Sequence, residues 1–117
     1  VEDASKKRSK FLTIITAGTI PPNPAEMLDS KVMSDFLEEC RNHYDHIILD
    51  TPPLQAVTDA QVLSTKADGT LMVIKANFTK KNDVESSVDM IKKVNGKIIG
   101  TVLNATKDNN KKYHYYE

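Results

Sequence analysis

The sequence predicts an α/β domain, with a parallel sheet that has helices on both faces. β-branched and apolar runs predict the strands, and segments whose apolar residues recur at helical spacing lie between them. The strand runs are apolar at nearly every position, which is typical of strands covered on both faces. Strands that alternate with helices in this way favour right-handed βαβ units and therefore a parallel sheet.

The first predicted strand, FLTIITAG at 11–18, is followed by a proline-rich loop. The prolines of TIPPNPAE exclude regular strand or helix until the chain has passed Pro24. We interpret the PPNPAE segment as a brace for the start of a helix, with a contact to a neighbouring subunit as the alternative. Ser30 suits the N-cap of a helix that extends to about His43. Its apolar stripe consists of Val32, Met33, Phe36, Leu37 and Cys40.

Three more strands complete the predicted sheet. They are HIILD at 46–50, TLMVIKA at 70–76 and KIIGTVLNA at 97–105. Asp59 is predicted to cap a short helix after the second strand. Asn82 and Glu85 resemble a capping box that begins the next helix, which Gly96 can end.

The composition bears on the class of partner and on the cellular compartment. Sixteen basic and sixteen acidic residues cancel, so the net charge gives no reason to expect nucleic acid or an anionic membrane as the chief partner. Cys40 is the single cysteine, which excludes an internal disulfide, and we interpret it as a core thiol in a reducing compartment. No apolar run approaches the roughly 18 to 20 residues that span a bilayer.

Both ends of the sequence are polar. The first ten residues, VEDASKKRSK, are charged and begin with Val1, which we interpret as a cut inside a longer protein. The KKRSK cluster is expected to be an exposed loop rather than a phosphate-binding patch. We expect one domain over residues 1–105, followed at 106–117 by a flexible, tyrosine-rich tail, TKDNNKKYHYYE.

Asp50 ends the predicted strand at 46–50 and is followed by Thr51 and two prolines. In open parallel sheets, ligands bind beyond the carboxyl ends of the strands. A carboxylate there can hold Mg²⁺ directly or through a water, or orient an attacking hydroxyl group. Pro52 favours an extended Thr51, and Pro53 has no amide hydrogen, so the chain leaves the sheet in a defined direction. The alternative is that Asp50 only ends a strand or caps a turn.

Four segments carry a family resemblance: LTIITAGTIPPNPAEML, HIILDTPP followed by VTDAQ, IIGTVLN, and the terminal YHYYE. In this order and spacing they resemble the carboxyl half of the bacterial tyrosine kinases that control capsule and exopolysaccharide assembly. The short tyrosine tail is similar to the Firmicute form, in which kinase and membrane activator are separate proteins. The resemblance implies that residues 1–105 are part of a P-loop NTPase fold of the deviant Walker type.

The resemblance also implies roles for individual residues. Asp50 matches the Walker B acid, which binds Mg²⁺ and supports phosphoryl transfer. The same motif is completed by Thr51, Pro52 and Pro53. Asn104 closes the last strand, where related ATPases present an asparagine amide to adenine, and simple capping of the strand end is the alternative. Asp59 recurs in the resemblance too, but helix capping explains it without catalysis.

The tail carries the implied phosphorylation sites, which are Tyr113, Tyr115 and Tyr116. In the family, such a tyrosine cluster is autophosphorylated and enters the active site of a neighbouring subunit in a ring. A flexible tail suits that task because the hydroxyl group must reach a phosphate held elsewhere.

The sequence departs from the family in one large respect. No segment resembles G-x-x-x-x-G-K-[ST], whose backbone amides and lysine cradle phosphates, and the aspartate-rich Walker A′ strand is absent as well. The chain alone is therefore expected to bind neither ATP nor Mg²⁺ and to be inactive. In the family, the phosphate-loop strand lies beside the Walker B strand. Without that strand, we expect either that another segment takes its place or that the fold rearranges there.

The resemblance thus implies the carboxyl-terminal part of an ATP-dependent protein-tyrosine autokinase of capsule or exopolysaccharide biosynthesis. The implied partners are a membrane-anchored activator of polysaccharide chain length and further copies in a ring. The implied location is the cytoplasm, at the inner face of the cell membrane. Two alternatives stay open: another deviant Walker ATPase, such as a partitioning or cluster-carrier ATPase, and a non-catalytic module that binds a kinase or a membrane activator.

Overall fold

The computed structural model describes residues 5–9 and 11–107, which form strands and helices in alternating groups. In chain order these are β1 (Ser5–Ser9), β2 (Leu12–Ile15), α1 (Pro24–Asp29), α2 (Lys31–Arg41), α3 (Asp59–Ser64), β3 (Thr70–Lys75), α4 (Lys81–Lys93) and β4 (Ile98–Asn104). Within these residues the strands form two separate pairs, β1 with β2 and β3 with β4.

β3 and β4 pair in parallel, and α4 connects them. Their register joins Leu71 to Gly100 and Lys75 to Asn104. This is the βαβ unit that the alternating apolar runs predict. The predicted α/β class, with a parallel sheet and helices, is therefore confirmed.

The segment predicted as the first parallel strand forms an antiparallel pair instead. β2 pairs with β1 in a register that joins Ser5 to Ile15 and Lys7 to Thr13. The prediction of an exposed loop at KKRSK is wrong for the part that lies in Ser5–Ser9, because these residues form β1. The apolar pattern does not reveal this pairing, since a strand pairs through backbone groups that every non-proline residue supplies.

HIILD at 46–50 is not a strand in this structure, so that prediction is wrong. No strand within residues 5–9 and 11–107 pairs with it, and the Ile48 side chain is 91% exposed. A parallel strand inside a sheet needs neighbours that satisfy its amide and carbonyl groups. In the described chain β2 and β3 each keep one unpaired edge, but neither pairs with this segment, so its backbone groups have no strand partner.

The buried core draws on three helices and β3. Among the described residues, the buried apolar side chains are Leu37, Cys40, Ala60, Leu63, Met72 and Ile91. Leu37 and Cys40 confirm the end of the predicted stripe on α2, whereas Val32 at its beginning is 78% exposed. Burial raises the pKa of the Cys40 thiol, and the neighbouring Glu39 carboxylate raises it further. The interpretation of Cys40 as a core thiol is confirmed.

α2 begins at its predicted cap, but two other predicted caps are wrong. Ser30 Oγ accepts a 3.2 Å hydrogen bond from the amide nitrogen of Met33, as an N-cap does. Asp59 is the first residue of α3, and Thr58 precedes it as the N-cap without a side-chain cap bond. Asn82 lies inside α4, which begins before it, so the expected capping box does not form.

α4 ends in a Schellman motif. Asn95 has a φ of 59°, and its amide nitrogen donates a 2.9 Å hydrogen bond to the carbonyl oxygen of Lys92. The amide nitrogen of Gly96 donates to the carbonyl oxygen of Ile91, also at 2.9 Å. A Cβ atom on Gly96 would lie 2.6 Å from Ser64 Oγ. Glycine is therefore needed here for close packing, while Asn95 adopts the left-handed conformation that ends the helix.

The described helices are too short or too polar to cross a membrane. Positions 108–117 lie outside the described residues, and the prediction of a flexible tail lies there with them.

Candidate functional site

Asp50 is exposed at the start of a loop that runs from 50 to 58 and leads into α3. Its carboxylate has no hydrogen bond or ion pair with any residue of the described chain. Thr51 beside it is half-buried, and Pro52 and Pro53 are exposed.

A single free carboxylate fits a magnesium site of the kind that nucleotides complete. Mg²⁺ in proteins keeps several waters and binds one or two carboxylates together with substrate phosphates. Within the described residues, no group of three His, Cys, Asp or Glu side chains could hold a metal ion by itself. Asp50 is therefore suited to share an ion with a phosphate ligand rather than to bind one alone.

The loop after Asp50 is held by a turn and by a tether to α4. The amide nitrogen of Ala56 donates a 2.9 Å hydrogen bond to the carbonyl oxygen of Pro53, which closes a turn around Gln55. The Gln55 side-chain amide donates to the carbonyl oxygen of Asp83 and to Ser87 Oγ, each at 3.0 Å. Sequence reasoning missed these contacts because they join residues 28 and 32 positions apart.

Asn104 is the last residue of β4, at the carboxyl edge of the parallel pair. Its Oδ1 accepts a 2.7 Å hydrogen bond from the amide nitrogen of Ala105, and its backbone carbonyl oxygen accepts one of 2.8 Å from Ala76. Ala105 has a φ of 56°, so the chain turns away directly after the strand. The side-chain oxygen thus caps the strand end, while Nδ2 keeps its donor hydrogens without a partner in the described structure.

Lys75, the register partner of Asn104, lies at the same edge. Its amide nitrogen donates a 3.1 Å hydrogen bond to Thr79 Oγ1, and its ammonium group lies 5.0 Å from the centroid of the Phe78 ring. Phe78 is 75% exposed. A cation, an exposed ring and an amide therefore share the edge where ligands of parallel sheets bind. Sequence reasoning did not single out Phe78, because it follows the predicted strand.

The structure does not join the predicted site residues directly. Within residues 11–107 no hydrogen bond links Asp50 to Asn104. Asp59 is half-buried at the start of α3, and its side chain has no hydrogen-bond partner in the described chain, so capping does not explain it. The predicted phosphorylation sites Tyr113, Tyr115 and Tyr116 lie outside the described residues.

Among the cavities of the described chain, two lie on the helices, and neither of these is lined by Asp50 or Asn104. The first, of about 600 Å³, opens between α1 and α2. Its lining residues are Asn23, Glu26, Met27, Leu28, Ser30, Val32, Met33 and Phe36. The second, of about 220 Å³, is lined in part by Arg41 and Lys66, and each of these side chains already has an ion-pair or hydrogen-bond partner. Arg41 pairs with Asp68 at 3.2 Å, and Lys66 Nζ donates a 2.9 Å hydrogen bond to Ser34 Oγ.

Named proteins match almost the whole chain. The putative tyrosine-protein kinase CapB of Staphylococcus aureus is 38% identical over 116 residues, which cover 98% of this chain and 51% of CapB. The tyrosine-protein kinase YwqD of Bacillus subtilis is 40% identical over 108 residues, which cover 92% of this chain and 46% of YwqD. The chain thus spans about half the length of the curated relatives it matches. No protein-family model matches the chain.

Solved kinase domains share its fold. The kinase domain of the Escherichia coli tyrosine kinase ETK superposes with a TM-score of 0.87 at 30% identity, covering 100% of this chain and 46% of that one. The kinase domain of VpsO gives 0.84 at 34% identity, covering 92% of this chain and 53% of that one. These likenesses define an α/β protein of the P-loop NTPase class. The chain is related to the bacterial tyrosine-protein kinases and spans about half of their length.

Proposed function

We propose that the chain is the carboxyl-terminal part of an ATP-dependent protein-tyrosine autokinase that regulates capsule or exopolysaccharide biosynthesis. The observation that carries the proposal is the 38% identity to the kinase CapB over 98% of the chain. Residues 1–105 would form part of the kinase domain, and 106–117 would form its tyrosine tail. The phosphate loop that holds ATP would lie outside this chain, so the chain alone would be inactive.

Asp50 is the proposed Walker B acid, with Thr51, Pro52 and Pro53 completing the motif. Its exposed carboxylate supports this role, because no residue of the described chain competes for it. Asp50 would hold Mg²⁺ directly or through a water, next to the phosphates of ATP. When bound, the ion neutralises charge on the transferred phosphoryl group. The contribution of Asp50 is therefore to place that positive charge, and mutation of the acid should affect rate more than fold.

Asn104 is the proposed contact to the base of ATP. The free Nδ2 donor supports this assignment, since Oδ1 already accepts the Ala105 amide. The proposed phosphate acceptors are Tyr113, Tyr115 and Tyr116. They would enter the site of a neighbouring copy in a ring, and a membrane-anchored activator would recruit that ring from the cytoplasm to the inner face of the membrane.

The test is tail phosphorylation in a protein that joins this chain to a phosphate-loop segment. Asp50→Asn keeps the size of the side chain and removes its charge, so the fold should persist while phosphotyrosine is lost. Asp45→Asn is the matched control, because Asp45 is also exposed and has no partner in the described structure. Circular dichroism checks the fold, and mass spectrometry locates phosphate on the tail. Undiminished phosphotyrosine in Asp50→Asn would refute the role of Asp50.

A further inference from the structure

Gln55 connects the loop of the proposed metal ligand to the helix that leads into β4. Its Nε2 lies 3.0 Å from the carbonyl oxygen of Asp83 and 3.0 Å from Ser87 Oγ. Ser87 is only 8% exposed, and its hydroxyl donates a 2.7 Å hydrogen bond to the same carbonyl oxygen. The glutamine therefore contacts a buried, internally bonded point of α4 rather than a mobile surface side chain.

The chain between this tether and Asp50 is stiff. Pro52 and Pro53 each fix their φ angle, and each favours an extended conformation in the residue before it. Thr51 and Pro52 are thereby biased towards an extended backbone conformation, which rises by about 3 Å per residue. Pro53 then enters the turn that the Ala56 amide closes at 2.9 Å. A displacement of the turn is therefore carried to Asp50 instead of being absorbed by free rotation.

The helix at the other end of the tether is firmly placed. Ile91 of α4 has no exposed surface, and the helix ends at Lys93, four residues before Lys97. The carbonyl oxygen of Lys97 accepts a 2.7 Å hydrogen bond from the amide nitrogen of Thr70 in β3. β4 follows and ends at Asn104. Gln55 thus links the loop of Asp50 to α4, the helix that precedes the strand carrying Asn104. No direct hydrogen bond joins Asp50 to Asn104 in the described chain.

We propose that Gln55 is a positioning residue for the Asp50 carboxylate, which it fixes relative to α4 and β4 through the tether to Asp83 and Ser87. This inference rests on the proposed function, in which Asp50 shares Mg²⁺ with a nucleotide. Without the tether the carboxylate samples a wider volume, so Mg²⁺ with nucleotide binds less favourably. The maximal rate at saturating Mg²⁺ changes less, because the ligand itself is still present.

The first arm of the test uses the chain alone and measures amide hydrogen exchange. Gln55→Glu keeps the length of the side chain but replaces both N–H donors with oxygen, which repels the Asp83 carbonyl oxygen. The amide of Ala56 should then exchange several times faster, because the turn opens more often. Gln61→Glu is the matched control, since the Gln61 side chain has no hydrogen-bond partner in the described structure. Unchanged exchange in Gln55→Glu would mean that the tether does not hold the loop, and would overturn the inference.

The second arm uses the protein joined to its phosphate-loop segment and measures tail phosphorylation against Mg²⁺ concentration. Gln55→Glu should raise the Mg²⁺ concentration for half-maximal rate by about fivefold to tenfold, the scale of one lost hydrogen bond. Gln61→Glu should leave it unchanged. Faster exchange in the first arm with an unchanged Mg²⁺ requirement would show a purely structural tether and overturn the inference. Asp50→Asn, measured alongside, tests the proposed function separately, since only its failure to reduce phosphorylation refutes the role of Asp50 itself.

Discussion

Gly96 lies directly against Ile91 at the end of α4, where its amide nitrogen donates a 2.9 Å hydrogen bond to the carbonyl oxygen of Ile91. A Cβ atom on Gly96 would lie 2.7 Å from Cγ2 of Ile91 and 2.6 Å from Ser64 Oγ. Neither neighbour can withdraw easily, because Ile91 has no exposed surface and Ser64 is 5% exposed. The left-handed φ needed at this helix end is supplied by Asn95, so close contact is the reason for glycine.

Gly96→Ala should therefore destabilise the chain by about 1 to 3 kcal/mol, the usual cost of overpacking. Urea unfolding followed by circular dichroism measures the change. Gly100→Ala is the control, because a Cβ atom there would meet Leu71 Cδ1 at an ordinary 3.6 Å. That variant should be neutral or slightly stabilising. Equal losses of stability in the two variants would contradict the packing argument.

Truncation of Ile91 should cost far more stability than truncation of Ile48. Ile91 is fully buried, so Ile91→Ala should cost about 2 to 5 kcal/mol in the free energy of unfolding. Ile48 is 91% exposed and lies in no strand, so Ile48→Ala should change stability by less than about 0.5 kcal/mol. The same urea titration compares them. A large loss in Ile48→Ala would show that the 46–50 segment is packed in solution.

The stability of the chain should fall at alkaline pH through Cys40. Burial, with a contribution from Glu39, raises the pKa of this thiol in the folded state. An unfolded thiol ionises near pH 8.5, so between that value and the higher folded pKa the unfolded state loses a proton that the folded state keeps. Stability should therefore decrease as pH rises through this window, by at most about 1.4 kcal/mol per pH unit from this group.

Cys40→Ala supplies the comparison for this pH effect. The variant lacks the thiol, so its free energy of unfolding should depend less steeply on pH above about 8.5. Its lower stability at neutral pH does not matter, because only the two slopes are compared. Parallel slopes for the variant and the unmodified chain would argue against a raised pKa.

Two substitutions at Asn104 separate its capping bond from its proposed contact to the base. Asn104→Asp keeps an oxygen that can accept the Ala105 amide and removes both N–H donors, whereas Asn104→Ala removes the cap as well. If the amide binds adenine, both variants should weaken nucleotide binding in the protein joined to its phosphate-loop segment. Calorimetric titration with ATP measures this, with GTP as the control nucleotide. Full affinity in Asn104→Asp would leave only the capping role.

The sequence predicts those elements whose signals are local. Helical spacing predicts α4, and an apolar run predicts β4. The Ser30 cap follows from a side chain that bonds three residues ahead, and the burial of Cys40 follows from its place in an apolar stripe. Each of these signals lies in residues that are close in the sequence, although β4 also needs β3 as its backbone partner. They can therefore be predicted without knowing where the rest of the chain lies.

The wrong predictions concern segments whose structure depends on a contact partner that is distant in the sequence or absent from the described chain. HIILD has the composition of a buried strand, but a strand forms only where a neighbour satisfies its backbone, and composition does not report whether that neighbour is present. The pairing of β2 with β1 depends on the backbone of a polar segment, which carries no apolar signal. The contact of Gln55 with Ser87 spans 32 positions and exists only after α4 has folded against the loop.

The outer edge of β3 has a broader consequence for handling this polypeptide. Along Thr70–Lys75 no strand of the described chain covers that edge, and the adjacent Val73 side chain is 64% exposed. Open edges of this kind are templates for strand addition, so copies of the chain should self-associate as their concentration rises, and measurements on the chain alone belong at low concentration. A segment that covers the edge should suppress this association.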